Sequence, residues 1–416
     1  MSASPRSSGT GAPLPLAGVR VIDFSRLLPG PWATQMLGAL GAEVIKVEQP
    51  GIGDPSRHNH PRFRVDSVYF NSVNGNKRSI ALDMKTAAGR DVSQRLLRHA
   101  DVIVESFRPG VAERLGIGYA QAKEINPRLI HCSISGFGQT GPLSHIAGHD
   151  LVIQSLTGLM EVGPDGAAPV PGLQSGDYAG GLFAVIGIQA ALAQREKTGR
   201  GCELDIAMFE ALYNMCMIPL SSELAKLAGF SGEPRMEVFG ANPRYSTYRT
   251  KNGRHVAVSL LETRAWAEFC RHIGRPELVS EDESPEDRLS THGERSGDYR
   301  EALETWCAAH TLEEITRDMD TAGIAICAVA RPEDAVRLPH VAERGTLDYI
   351  DHPVEGRIPQ LTNPFWRAGL ARRQSAPAPA LGGATREILA ELGYAAAEID
   401  ALVASGTAVP AQETSP

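Results

Sequence analysis

Two short segments carry the residues best suited to chemistry: Gly148-His149-Asp150, and Gly176-Asp177-Tyr178-Ala179-Gly180-Gly181 further on. An imidazole and a carboxylate form an acid/base pair, and the flanking glycines let the backbone approach a flat ligand closely. Taken alone, a His-Asp dipeptide in a Gly-rich loop more simply satisfies its own backbone through local hydrogen bonds. The pair therefore gains meaning only from the elements that position it.

Residues 19–24 read as a buried strand, 32–40 as a helix that ends at Gly41, and 42–48 as a second strand, which together make a βαβ unit. Glu48, at the end of that unit, stands where a dinucleotide-binding fold holds a ribose hydroxyl. The turn argues against such a ligand. Leu27-Leu28-Pro29-Gly30-Pro31 lacks the G-x-G-x-x-G spacing, and its two prolines remove amide donors. The architecture is Rossmann-like without the nicotinamide or flavin.

A helix over 89–99 and strands over 101–105 and 128–134 continue the alternation, which implies a parallel sheet. Such sheets place their sites beyond the carboxyl ends of the strands, where the loops 106–110 and 135–141 fall. After Asp177 the pattern turns helical through 182–192, with little charge. Between 231 and 323 the chain is more charged. Runs at 245–249 and 255–259 flank Asn252-Gly253 and read as a hairpin, followed by a helix over 264–273. The expected organisation is α/β: tails at 1–13 and 406–416, a large Rossmann-like domain from 14–225 and 326–405, and a smaller α+β domain at 226–325.

Composition sets the outer limits. The 416 residues are 42% hydrophobic and 22% charged, enough for two globular domains. A net charge of −8 without a long basic run argues against nucleic acid as a partner. No run approaches the ~18 consecutive apolar residues of a membrane span, and neither the first 13 residues nor the terminal Gln412-Glu413-Thr414-Ser415-Pro416 carries a targeting signal. A cytoplasmic location away from membranes is expected. The six cysteines show no C-x-x-C or metal-ligand spacing, so no disulfide or metal site is expected, and stretches such as Ile326-Cys327-Ala328 read as buried thiols.

Several further motifs fall into one pattern: Pro29-Gly30-Pro31-Trp32-Ala33-Thr34, Gly41-Ala42-Glu43-Val44-Ile45-Lys46-Val47-Glu48, Asn76-Lys77-Arg78-Ser79, Phe107-Arg108-Pro109-Gly110, Ser135-Gly136-Phe137-Gly138-Gln139-Thr140-Gly141-Pro142 and Thr385-Arg386-Glu387-Ile388-Leu389. From about Leu16 to Tyr394 the chain resembles the family III CoA-transferases (CaiB/BaiF), which include the α-methylacyl-CoA racemases. The resemblance implies a large domain formed by both ends of the chain, a small domain from its middle, and an interlocked homodimer. It also implies an acyl-CoA substrate, with coenzyme A as part of that substrate and no tightly bound cofactor.

Two chemistries divide the family. In the transferases the residue matching Asp177 is a nucleophile that forms a mixed anhydride and then an aspartyl-CoA thioester, before an acceptor carboxylic acid takes the CoA. In the racemases the same aspartate and a histidine followed by an aspartate, here His149-Asp150, exchange an α-proton across an enolate. Glu262 falls where racemases hold that histidine, and Gly148 or Gly176 could supply enolate-binding amides. These residues put a 2-methylacyl-CoA racemase or epimerase first. A CoA-transferase is the alternative, and a member that binds CoA without turnover is third. The run Leu151-Val152-Ile153 and much of the chain away from the site are transferase-like. For the CoA phosphates the candidate cations are Arg57, Lys77, Arg78 and Arg108. For a dicarboxylic acid they are Arg244 and Arg249.

Overall fold

Alternating short apolar strands and amphipathic helices form a six-stranded sheet, all of whose pairings are parallel. The computed structural model describes residues 13–160, 168–233, 235–237, 240–367, 369–371 and 373–411. The parts of the expected tails at 1–12 and 412–416 lie outside the described residues.

The sheet grows from β1 (Arg20–Asp23), α1 (Pro29–Ala39), β2 (Glu43–Glu48), α2 (Val68–Val73) and β3 (Lys77–Ala81). The chain then crosses through α3 (Ala87–Arg98) to β4 (Val102–Glu105). It continues through α4 (Val111–Arg114) and α5 (Tyr119–Ile125) to β5 (Ile130–Ser135), and through α6 (Asp150–Ser155) and α7 (Ser175–Thr198) to β6 (Glu203–Ala207) and α8 (Met208–Met215). The strand order is β3-β2-β1-β4-β5-β6, so the winding reverses between β1 and β4. That reversal leaves a crevice beyond the carboxyl ends of these two strands. The edge strand β6 was not legible as a strand, because its alternating Glu203, Leu204, Asp205 and Ile206 lack a continuous apolar run.

Helix α1 begins three residues earlier than its apolar pattern suggested. Pro29 occupies its first turn, where an amide would be unpaired anyway and the fixed φ suits a helix. Helix α7 is apolar and long enough to span a membrane by length and composition alone. It packs on α1, α6, α8, β5 and β6, burying Ala179, Ala184, Val185, Ile188, Ala191 and Leu192.

The chain divides into two compact units, one made of residues Met1–Met215 and Ala342–Pro416, the other of Cys216–Val341. The division falls at 216 and 341 rather than at 226 and 325. In the first unit the chain's end returns as the hairpin β10 (Leu347–His352) and β11 (Gly356–Leu361), followed by two helices, Thr385–Glu391 and Ala396–Ala404. Ile388, Leu389, Leu392 and Ile399 join Ile22, Ile45, Ile80 and Ile103 in one core. The tail expected from 406 is part of this packing. Asp83 N donates to Thr407 O at 2.8 Å, Val409 N donates to Ala81 O at 3.0 Å, and Ala408 is fully buried.

The second unit holds α9 (Ser221–Leu227), the antiparallel strands β7 (Tyr245–Arg249), β8 (His255–Ser259) and β9 (Ile326–Ala328), and the helices α10 (Thr263–His272), α11 (Ser296–Ala309) and α12 (Leu312–Ala322). Its core is built on Trp266, Phe269, Leu303, Ile315 and Met319. Cys327, expected to be buried, is exposed: β9 alternates, and burying Ile326 turns its neighbour outward. Cys132, Cys216, Cys270 and Cys307 are buried.

Candidate active site

His149, Asp150 and Asp177 line one cleft of about 710 Å³ in the first unit, together with Tyr69, Arg26 and Arg108. The cleft lies at the carboxyl ends of β4 and β5, where the loops over 106–110 and 135–148 leave the sheet. The two ends of the second loop meet backbone to backbone: a Cβ on Gly136 would stand 2.6 Å from Gly148 Cα, and one on Gly148 2.5 Å from Gly136 Cα. Only glycine at both positions permits this approach.

Asp177 is the third residue of α7. Asp150, the first residue of α6, reaches across, and its Oδ1 accepts from Gly176 N at 2.8 Å and from Asp177 N at 3.4 Å. An acidic group satisfying helix-opening amides is favourable in itself. It also leaves Asp177 without the donors that would otherwise stabilise its charge. Burial, and then the Asp150 carboxylate, push the Asp177 carboxyl up to about 7. Among the described residues no side chain donates a hydrogen bond to it. His149 is the N-cap residue of α6, with its side chain exposed and making no cap hydrogen bond.

The glycines after Asp177 serve helix packing. A Cβ on Gly180 would come within 2.8 Å of Met208 Cγ, and one on Gly181 within 3.0 Å of Pro29 O and of the Trp32 ring, so both let α7 pack on α8 and α1. The Gly176 amide, one of the proposed enolate donors, is already taken by Asp150.

Three of the four cations expected to hold CoA are committed elsewhere. Arg57 is 4% exposed; its guanidinium binds both oxygens of Glu48 at 2.8 Å and Asp66 Oδ2 at 2.6 Å, and stacks 3.7 Å from the Phe70 ring centroid. Glu48 in turn accepts from Ser79 Oγ at 2.7 Å and Asp54 N at 2.9 Å, so it is a structural acid with no ribose role. Lys77 Nζ is buried among Asp23 Oδ2 at 2.9 Å, Pro31 O at 2.8 Å and Asn74 Oδ1 at 2.8 Å. Arg78 pairs with Glu43 at 2.8 Å and Glu391 at 2.7 Å near the amino-terminal ends of the parallel strands, away from the cleft end of the sheet. Only Arg108 lines the cleft, exposed and free of ion pairs among the described residues.

Arg26 and Leu27 were missed. Arg26 lies three residues beyond the end of β1, its guanidinium 4.9 Å from the Phe107 ring centroid and free of ion pairs among the described residues. Leu27 has φ +64°, which is costly for a branched side chain and characteristic of functional loops. Their place beyond the first strand at the winding reversal was the available signal. A second cavity of about 180 Å³ shares Arg26, Phe107 and Val111 with the cleft and adds Lys46, Asp83 and Lys85.

At the end of β1, burial alone would raise the Asp23 carboxyl. The charges of Lys77 and Lys46 outweigh it and hold Asp23 well below the usual carboxylate range. Lys46 Nζ also binds Asp54 at 2.9 Å and Ser25 O at 3.0 Å, which ties down the loop that carries Arg26 and Leu27.

In the second unit Glu262 is the N-cap residue of α10 and makes no cap hydrogen bond. Its exposed carboxylate pairs with Arg288 at 2.8 Å. Arg244 is fully buried, with Nη1 2.5 Å from Glu283 and Nε donating to Leu260 O at 2.8 Å, so it is not available to a dicarboxylic acid. Arg249 is an exposed residue of β7.

The model of the family described as CoA-transferase family III matches residues 16–385. The chain belongs to that family. It is 35% identical over 402 residues to a succinyl-CoA:glutarate CoA-transferase from Mus musculus, covering 94% of this chain and 90% of the relative. It is 34% identical over 340 residues to an acetyl-CoA:oxalate CoA-transferase from Acetobacter aceti, covering 80% and 85%. Among solved structures, a CaiB/BaiF family protein from Brucella suis superposes with a TM-score of 0.77 at 31% identity, over 91% of this chain and 99% of that one. The relatives from Mus musculus and Acetobacter aceti are named as transferases, which favours the transferase over the racemase that the residues alone put first.

Proposed function

We propose that this family III enzyme moves CoA from an acyl-CoA to a carboxylic acid, with Asp177 as the nucleophile. The observation that carries the reading is the state of the two aspartates. Asp150 is consumed by the opening amides of α7, and Asp177 faces the same cleft half-buried and, among the described residues, without a side-chain donor. A carboxylate short of hydrogen bonds is a stronger nucleophile.

One Asp177 oxygen attacks the thioester carbonyl carbon; the C–S bond breaks, giving an acyl-aspartyl anhydride and CoA thiolate. The thiolate attacks the aspartyl carbonyl and releases the first acid as its carboxylate, leaving an aspartyl-CoA thioester. The acceptor carboxylate repeats the sequence in reverse and regenerates Asp177. No α-proton moves, so neither His149 nor Glu262 is required as a base. Glu262's pairing with Arg288 accords with that.

The free cations Arg26, Arg108 and Lys85 support phosphate binding around the shared wall of the two cavities, with the nucleotide end of CoA in the smaller one. The acceptors named for the relatives make short dicarboxylic acids the first class to test. Exposed Leu151 and Val152 on α6, Leu156 at its C-cap, and Leu182 and Ile186 on α7 support burial of this face in a homodimer. The test is CoA exchange from succinyl-, acetyl- or formyl-CoA into glutarate or oxalate, run beside α-deuterium incorporation into a 2-methylacyl-CoA in deuterated water. Exchange that survives His149→Ala and fails in Asp177→Ala supports transfer. Deuterium incorporation that needs both residues, without exchange, reverses the reading in favour of the racemase.

A further inference from the structure

We propose that Gln154 is a positioning residue for Asp177, holding the Asp150 carboxylate and the Leu173 carbonyl together so that the first turn of α7 is presented to the cleft in one arrangement. The proposal rests on Asp177 being the nucleophile.

Gln154 is 1% exposed and stands one helical turn after Asp150 on α6. Its Nε2 donates both to Asp150 Oδ2 and, at 2.8 Å, to Leu173 O, just before the start of α7. Both neighbours are acceptors only, so the amide nitrogen must face them, and Oε1 is left buried without a partner among the described residues. A buried amide that forgoes a hydrogen bond carries a cost, and it persists here because two acceptors of the α6–α7 junction depend on it. Asp150 spends its other oxygen on the Gly176 and Asp177 amides. The chain of contacts thus runs from Gln154 through Asp150 to the backbone of Asp177, with a second hold on Leu173.

Removing the donor frees the Asp150 carboxylate to turn away from α7. Replacing it with a carboxylate sets a second acid against two acceptors. The two changes therefore act on Asp177 in opposite directions. Among its other neighbours, Tyr69 on α2 and Tyr178 on α7 feel its charge. Of the elements packed on α7, α1 has no titratable side chain, α8 carries Glu210 and Tyr213, β5 carries His131 and Cys132, and β6 carries Glu203 and Asp205. His149, Arg26 and Arg108 line the same cleft. None of these is altered by a change at Gln154.

The experiment follows the Asp177 carboxyl signal by carbon-13 NMR of aspartate-labelled full-length protein, assigned by its loss in Asp177→Asn, together with the pH profile of CoA exchange. The Asp177 midpoint is expected to fall by about half a pH unit or more in Gln154→Leu and to rise by about as much in Gln154→Glu. Exchange is expected to drop by about tenfold in kcat in both variants, with KM for the acyl-CoA within about twofold. Should Gln154→Leu not fold, Gln154→Asn, whose amide is one methylene too short, replaces it. Midpoints unmoved in folded variants would overturn the proposal, even if activity falls. Midpoints that move as stated in a protein without exchange activity would uphold the positioning role and defeat the transferase reading instead.

Discussion

Asp150 Oδ1 lies 2.8 Å from the amide of Gly176, so the acid that opens one helix caps the helix bearing Asp177. The contact stabilises α7 and at the same time places a negative charge beside the nucleophile. The anhydride route needs Asp177 ionised. With its carboxyl pushed up to about 7, kcat/KM is expected to rise with pH through that region and level off above it. Asp150→Asn keeps an acceptor for the amides and removes the charge, so the rise should move to lower pH by about one unit. A profile of the Asn variant coincident with wild type would show that Asp150 does not set this limb.

Loss of the nucleophile should be far costlier than loss of the imidazole. Asp177→Asn is expected to lower CoA exchange by at least ~10³-fold, and His149→Ala by less than about tenfold. A His149→Ala variant as inactive as Asp177→Asn would restore the two-base mechanism.

The cations separate by what they touch. Arg108→Ala, at the open cleft, is expected to raise KM for acyl-CoA by about tenfold with little change in unfolding by urea. Arg57→Ala leaves Glu48 buried without its guanidinium partner, and should destabilise the fold by about 3–5 kcal/mol. Reversal of these two outcomes in urea titrations and steady-state kinetics would return Arg57 to the binding site.

Glu105, at the end of β4, is 2% exposed, and its Oε2 accepts from Phe107 N at 2.7 Å. Burial, only partly offset by bonds from Ser133 and that amide, pushes its carboxyl up to about 7. The folded state therefore holds a proton that the unfolded chain releases, and stability from this group falls as pH rises from about 4.5 to about 7. Glu105→Gln should remove that slope and be the more stable form at pH 8, by on the order of 2–3 kcal/mol. Equal slopes for both proteins in denaturation measured from pH 5 to 8 would refute the assignment.

What local pattern controls is legible in the sequence alone. Period-2 and period-3.6 apolar runs specify β1, β2, β4, β5, α3, α10 and the β7–β8 hairpin, because burying one face is a property of the segment itself. The triad of His149, Asp150 and Asp177 is legible as chemistry, because few residue types do that work and glycines mark the close approaches. Ion pairing is not. Arg57, Lys77 and Arg78 look like free loop cations in the sequence, and their partners Glu48, Asp23 and Glu391 are brought to them only when distant strands and the returning C-terminal helix pack. The same holds for Arg26, whose neighbourhood exists only at the winding reversal of the sheet. Residue type and spacing determined what this chain can do chemically. Which charges remain free to do it was decided by tertiary structure, since a charge buried against a partner is spent on the fold and one left at the rim of a cleft is not.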